Sequence, residues 1–363
     1  MQKDMHYYGT FVLARAAGIN ESTAHVIATA SQFVDDSVEN NTDCVLKDGS
    51  KIRQIVTAHH TDSIANINRD DQRKVWVPFH FLPGGGEGKP FYEKLICVMD
   101  SRPVRDMVEH TISCHEKSFF PELIGIAAHV YADTFSHYGF SGISSHVNRV
   151  DNNSFKYKAK NIPFLQDKLS RFWRKFAKSI IMDGLLPVVS ATGEVLSGAL
   201  GHGAVATFPD LPYLEWSFKY ETGAVSKRNN RETFLAGCKA LYSMFRRCAE
   251  MSPPIRDTGF DKNSSFESIS HDITTILAIE GEEDARSKGW ENFYINNKNI
   301  NTGAQKEIPP YLGSRWEKDV SSLCHHSPVR LTDYNVYKFY QAAEFHQTYI
   351  LRVLLPSHGI YVV

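Results

Sequence analysis

A chain of 363 residues with 42% hydrophobic and 22% charged residues has ordinary globular composition, which excludes a disordered, collagen-like or coiled-coil polymer. Lys+Arg number 40 against 41 Asp+Glu, a formal net charge of -1, so no global field draws the chain to nucleic acid or anionic lipid, and any polyanion must be held by a local site. No stretch reaches the ~18–20 uninterrupted apolar residues of a membrane span, and Asp4 and His6 stand where a secretory signal would place its apolar core. The expectation is a cytoplasmic chain with no Sec signal. Cys44, Cys97, Cys114, Cys238, Cys248 and Cys324 show no C-x-x-C spacing and are expected as reduced thiols. Histidine is the unusual count, at 16, and hints at metal chemistry.

Helical periodicity dominates. Tyr7 to Gly18 reads as a helix closed by a C-cap glycine. Asn20-Glu21-Ser22 offers an N-cap to a second helix over Thr23 to Val34, with Val26, Ile27, Ala30, Phe33 and Val34 on its apolar face and Asp35-Asp36 at its end. Asp48-Gly49-Ser50 is a turn signal, and alternation in Ile52 to Ala58 and in Lys74 to Phe81 predicts strands, hence a small β insertion near 43–82. Pro83 to Pro90 is a glycine-rich loop. Arg102 to His115, opened by Pro103, and the more apolar Pro121 to Tyr138 predict two helices, the second buried. Leu165 to Met182 is amphipathic, and Gly184 to Pro212 is rich in Gly and Pro. Glu232 to Cys248, Phe266 to Ile279 and Thr332 to Leu354 predict further helices, whereas Glu282 to Cys324 reads as polar and loop-rich. The expected fold is mainly α: one large helical domain over 1–363, with its core in about 1–250, a helical extension over 251–363 and the small β insertion.

The densest chemistry lies in His129-Val-Tyr-Ala-Asp133-Thr-Phe-Ser-His137. Each four-residue step turns a helix by only about 40°, so the polar residues share one stripe. His129 and Asp133 are spaced to share one ion, and His137 reaches a second ion or orients the first ligands. Ile124, Ile126, Ala127, Ala128 and Phe135 around them are apolar, and a His/Asp set there is costly unless something pairs with it. A core network in which Asp133 hydrogen-bonds both histidines meets the same demand without a metal.

Other candidates are scattered. His6 opens an apolar helix beside Tyr7 and Tyr8. Asp35 and Asp36 sit at a helix C-terminus, where each charge opposes the macrodipole by ~0.3–1 kcal/mol and a nearby cation would offset it. His80 stands in the apolar Trp76 to Pro83 stretch, His202 is flanked by Gly201 and Gly203, and Asp210 follows in Phe208-Pro-Asp-Leu-Pro. A His/carboxylate set without cysteine suits zinc, manganese or iron. Two such ions ~3.5–4 Å apart would polarise a phosphoryl oxygen and supply hydroxide near neutral pH, the logic of phosphodiester hydrolysis.

Met5-His6-Tyr7-Tyr8-Gly9-Thr10, Ala30 to Asp36, Phe79 to Gly84, Ala128 to Thr134 and Leu200-Gly-His-Gly203 resemble a bacterial family of uncharacterised proteins, over a span from the N-terminus to about residue 250. The order His, Asp, His, His-x-x-x-Asp, His is also similar to the superfamily of zinc-dependent phospholipase C and single-strand nucleases. That resemblance implies an α-helical fold, one to three zinc ions (or Mn/Fe), and His6, Asp35 or Asp36, His80, His129, Asp133, His137 and His202 as ligands. The chain departs from the pattern at Met1-Gln2, where secreted members carry a tryptophan, and after His146, where no acid follows four residues on.

The functional expectation is a metal-dependent hydrolase of phosphate esters that uses metal-bound hydroxide. Whichever of Asp35 and Asp36 is not a ligand serves as general base, and the substrate is a phospholipid head group or nucleic acid. The alternative is a non-catalytic helical protein, toxin-like or partner-binding, with a structural metal or a buried His/Asp network. Gly84 to Pro90 fails as a phosphate loop, because Pro83 and Pro90 occupy positions that need Gly and Ser/Thr. His59-His60-x-Asp62 is a runner-up ligand set, His271-Asp272 and Cys324-His325-His326 are weak, and Lys227, Arg228, Arg231, Arg246 and Arg247 read as solvated helix faces.

Overall fold

A computed structural model describes residues 1–38, 44–46, 48–59, 68–86, 88–151, 153–159, 201, 205, 207–259, 264–302, 306–325 and 330–362. Asp4–Gly9 forms a π-helical turn that runs straight into α1 (Thr10–Ala16), and Gly18 breaks the run with φ of 93°. α2 (Glu21–Asp36) begins at Asn20, whose side chain accepts the Thr23 N–H at 2.9 Å. β1 (Cys44–Val45) and β2 (Lys51–Ile52) pair as a short antiparallel hairpin, with Cys44 opposite Ile52.

The strand expected over Lys74 to Phe81 is corrected: α3 (Arg69–Lys74) and α4 (Trp76–Phe79) occupy this stretch. A short apolar run cannot separate strand from buried helix by periodicity. Local chemistry decides instead, since Asn68 caps the Asp70 and Asp71 amides, acids fill the first turn and Arg73 and Lys74 the last.

α5 (Phe91–Lys94) is brief, and α6 (Arg102–Ser113) carries Pro103 in its first turn. α7 (Phe120–His137) is buried at every position except Pro121. It crosses α2 at Gly125, where an added Cβ would lie 2.5 Å from the Ile27 carbonyl oxygen and 2.6 Å from Ala30 Cβ. Only glycine permits this approach, and it brings Ser31 and Asp35 of α2 beside the polar stripe of α7.

β3 (Lys156–Lys158), β4 (Glu215–Lys219) and β5 (Val225–Asn229) form an antiparallel sheet in that order, which the sequence reading lacked. Its inner face joins Phe140, Phe208, Trp216 and Phe218 in an aromatic cluster. β5 continues into α8 (Asn230–Met251), followed by α9 (Glu267–Leu277), α10 (Glu283–Asn296), α11 (Gly313–His325) and α12 (Asn335–Tyr349). The loop-rich expectation for Glu282 to Cys324 is therefore corrected. α10 turns only Arg286, Ser287, Trp290 and Tyr294 inward, so its composition looks polar. Arg286 Nε reaches Asp4 Oδ2 at 2.7 Å and ties α10 to the π-helical turn.

Cys44 is disulfide-bonded, which corrects the expectation of six reduced thiols, while Cys97, Cys114, Cys238 and Cys248 are free and buried. Bonding between distant cysteines depends on the tertiary fold and leaves no mark in local spacing. The helix expected over Leu165 to Met182, most of the Gly/Pro-rich stretch after it, and His202 lie outside the described residues. Among the described residues no helix is long and apolar enough to cross a membrane.

Candidate metal centre

Asp133 is the hub, and none of it reaches solvent. Its Oδ1 lies 2.6 Å from the Met1 α-amine and 3.2 Å from His6 Nε2. Its Oδ2 lies 3.3 Å from His80 Nδ1, 3.2 Å from His129 Nε2 and 3.4 Å from His137 Nδ1. Asp35, with a third of its side chain exposed, closes the open side: 3.8 Å from His129 Nε2, 3.9 Å from His80 Nδ1 and 4.0 Å from His6 Nε2. Two overlapping triads have ligand atoms close enough to hold an ion, His6/His129/Asp133 and Asp35/His80/His129.

The backbone fixes the tautomers. His129 Nδ1 sits 2.8 Å from the Ser31 carbonyl and must donate to it, which leaves Nε2 bare in the neutral ring. His80 Nε2 donates to the Thr57 carbonyl at 2.9 Å, which leaves Nδ1 bare. These two bare nitrogens face each other at 3.1 Å, with the Asp133 carboxylate against both. His6 stacks on His129 with ring centroids 3.8 Å apart, and its buried Nδ1 has no hydrogen-bond partner. His137 Nδ1 donates to the His80 carbonyl at 3.0 Å, and its Nε2 faces Asp210 Oδ1 at 3.4 Å. Converging acceptors of this kind require a proton or a cation between them.

Electrostatics agree with that geometry. Burial, then the neighbouring His129 and the amine, hold His6 well below the usual imidazole range. Burial lowers His80 and takes His129 down to about 4. Burial pushes the Asp133 carboxyl up, yet His137, the amine, His129 and His6 outweigh it and hold the group well below the ordinary carboxylate range. Asp35 moves the other way, raised by burial and by Asp133, Asp36 and Asp210. The amine is lowered by burial but rises to about 11 beside Asp133, Asp210 and Asp35. His6, His80 and His129, held below the usual imidazole range beside the Asp133 carboxylate, form a donor set suited to a divalent ion.

The structure thus brings together His6, Asp35, His80, His129, Asp133 and His137. Asp36 turns away: its Oδ2 accepts the Tyr311 hydroxyl, and Gln32 Nε2 approaches its Oδ1 at 3.4 Å. Gly201, beside His202 in sequence, has φ of 51°, and a Cβ there would lie 2.4 Å from Phe81 Cζ. Phe81 in turn stacks on His137 with centroids 4.7 Å apart. Asp210, a candidate in the sequence but not among the expected ligands, joins this side and also accepts the Ser136 hydroxyl at 3.0 Å. An acid set between two prolines in an apolar turn was the available signal. The runner-up set splits: His59 Nε2 pairs with Asp71, while His60 and Asp62 lie outside the described residues.

Fold and site together define a mainly helical protein with a buried histidine–aspartate cluster able to hold a metal. The chain belongs to the family of unknown function DUF6765, whose model matches residues 1–354. No curated protein and no solved structure matches it significantly.

Proposed function

We propose that the protein is a metal-dependent hydrolase of phosphate esters, with His6, Asp35, His80, His129, Asp133 and His137 as ligands to one or more ions of the zinc, manganese or iron class. The observation that carries this reading is the pair of bare nitrogens, His129 Nε2 and His80 Nδ1, that face each other at 3.1 Å against Asp133. A bound divalent ion supplies Lewis acidity toward a phosphoryl oxygen and acidifies water. The chain's own groups do the rest. The Ser31 and Thr57 carbonyls hold the two imidazoles in their ligating tautomers. Asp133 divides its two oxygens, Oδ1 toward His6 and the Met1 amine and Oδ2 toward His80, His129 and His137, and would hold an ion from either side. Asp35 is the ligand carboxylate that meets solvent, on the open side of the cluster. Asp36 is committed to Tyr311 and stays outside the ligand set, so neither acid is left as a free general base. The substrate is a phosphodiester, either a phospholipid head group or nucleic acid.

The test is elemental analysis of protein purified without added metal, followed by assays on bis(p-nitrophenyl) phosphate, phosphatidylcholine vesicles and single-stranded DNA. The expected result is at least one equivalent of transition metal and chelator-sensitive hydrolysis of one substrate. Metal-free protein that takes up neither zinc nor manganese would reject the reading. A second reading, a non-catalytic helical protein with a buried polar network, is favoured by the Met1 amine, which gives Asp133 a counter-charge at 2.6 Å. In that case removal of metal leaves the melting temperature unchanged.

A further inference from the structure

Arg228 reads from the sequence as part of a solvated basic face, and the structure corrects this: its residue is only 4% exposed. It is the one buried position of β5. Its guanidinium carbon lies 4.0 Å from the Tyr138 ring centroid and 5.0 to 5.5 Å from those of Phe140, Trp216 and Phe218. Among the described residues no carboxylate pairs with it. Its guanidinium fork goes instead to backbone, with Nη1 donating to the Ser136 carbonyl at 3.1 Å and Nη2 to the Tyr138 carbonyl, while Nε donates to the Ser226 hydroxyl at 3.3 Å. Those two carbonyls flank His137. Beyond them, Tyr220, just after β4, donates its hydroxyl to the Gly139 carbonyl at 3.0 Å.

α7 therefore ends in carbonyls gripped from the sheet. A helix C-terminus carries partial negative charge and unsatisfied acceptors, and a guanidinium fork satisfies both. The grip falls at the residue whose ring must meet the His80 carbonyl, Asp133 and Asp210. The aromatic rings around Arg228 leave the fork little room to move.

From this geometry we infer that Arg228 is a positioning residue for the metal centre, acting through His137. The inference rests on the metal reading of the cluster. A pure packing role would stabilise the sheet against α7 without any effect on the ligand set. A positioning role couples Arg228 to His137 and to no other ligand.

The experiment compares the full chain, Arg228→Lys, Arg228→Met, His137→Asn and the double variant Arg228→Met/His137→Asn. Each is stripped of metal and titrated with Co(II), and its visible bands are recorded. The Arg228 variants are expected to bind Co(II) roughly 10–100-fold more weakly, with bands displaced in the same sense as in His137→Asn. The double variant is expected to be no weaker than His137→Asn alone, because both changes remove one contribution. Additive losses, or wild-type affinity and spectrum in both Arg228 variants, overturn the inference while the metal reading stands. Wild-type protein that binds no Co(II) overturns both. A readout without metal is the NMR signal of the His137 Nδ1 proton bonded to the His80 carbonyl. It should exchange faster in Arg228→Lys, and an unchanged signal also counts against the inference.

Discussion

The molecule buries two charges in opposite ways. Asp133 lies among imidazoles and an amine, with partners within 3.4 Å on both oxygens. Arg228 lies among aromatic faces and backbone carbonyls. The first arrangement gathers groups that titrate or ligate, so its stability depends on what else binds. The second contains nothing that exchanges protons near neutral pH, so it is fixed once folded. A buried charge solvated by other functional groups is poised for chemistry, and one solvated by rings and backbone is poised for architecture.

Removing the anion from the first arrangement should break the contrast most severely. In metal-free protein, Asp133→Asn takes from the buried amine its nearest carboxylate and should cost ~3–5 kcal/mol in denaturant unfolding, and it should also abolish metal uptake. A metal-free variant as stable as metal-free wild type would show that Asp133 is not the counter-charge. Glu122, in the first turn of α7, sharpens the comparison as a buried charge with neither solution. Its Oε2 has no partner, and burial pushes its carboxyl up to about 7. The folded carboxyl holds its proton where the unfolded one, near 4.5, has released it. Folded protein thus binds more protons between those values, and stability falls as pH rises through that window and levels off above it. Glu122→Gln should remove this slope and add up to ~3 kcal/mol above pH 7, measured as the difference in urea unfolding between variant and wild type across pH. Equal slopes would mean that the carboxyl ionises freely in the fold.

Smaller effects test how the helices present the cluster. Gly125→Ala forces a Cβ against the Ile27 carbonyl at 2.5 Å, so α2 and α7 must part. The cost should be ~1–3 kcal/mol, with weaker metal binding because Ser31 and Asp35 move away from His129. Calorimetry with and without zinc would read both, and a loss of stability without a loss of zinc affinity would separate the helix crossing from the site. Tyr311→Phe removes the hydroxyl from Asp36 and should cost only ~1 kcal/mol in thermal unfolding. Unchanged zinc affinity in that variant is expected if Asp36 stands outside the cluster.

Much of the cluster was legible because its logic is local. Four-residue spacing put His129, Asp133 and His137 on one stripe of an apolar helix, and the helix formed as its pattern requires. Where local logic was ambiguous, the reading failed. The alternation over Lys74 to Phe81 was too short to exclude a helix. In α10 the inward residues Arg286, Trp290 and Tyr294 recur at four-residue spacing, a helical signal hidden because the rest of the segment is polar. Arg228 carries no sequence mark of burial, since alternation shows only which strand residues share a face.

The sequence by itself settled the mainly helical character, the α2 and α7 elements and the residue types able to ligate an ion, because periodicity, capping and side-chain chemistry act over a few residues. Only the tertiary structure decided that Asp35 and not Asp36 faces the cluster, that Asp210 and the Met1 amine join it, and that backbone carbonyls of Ser31 and Thr57 set its tautomers. Those outcomes depend on which faces of distant segments meet, and the close crossing at Gly125 fixes that meeting between α2 and α7.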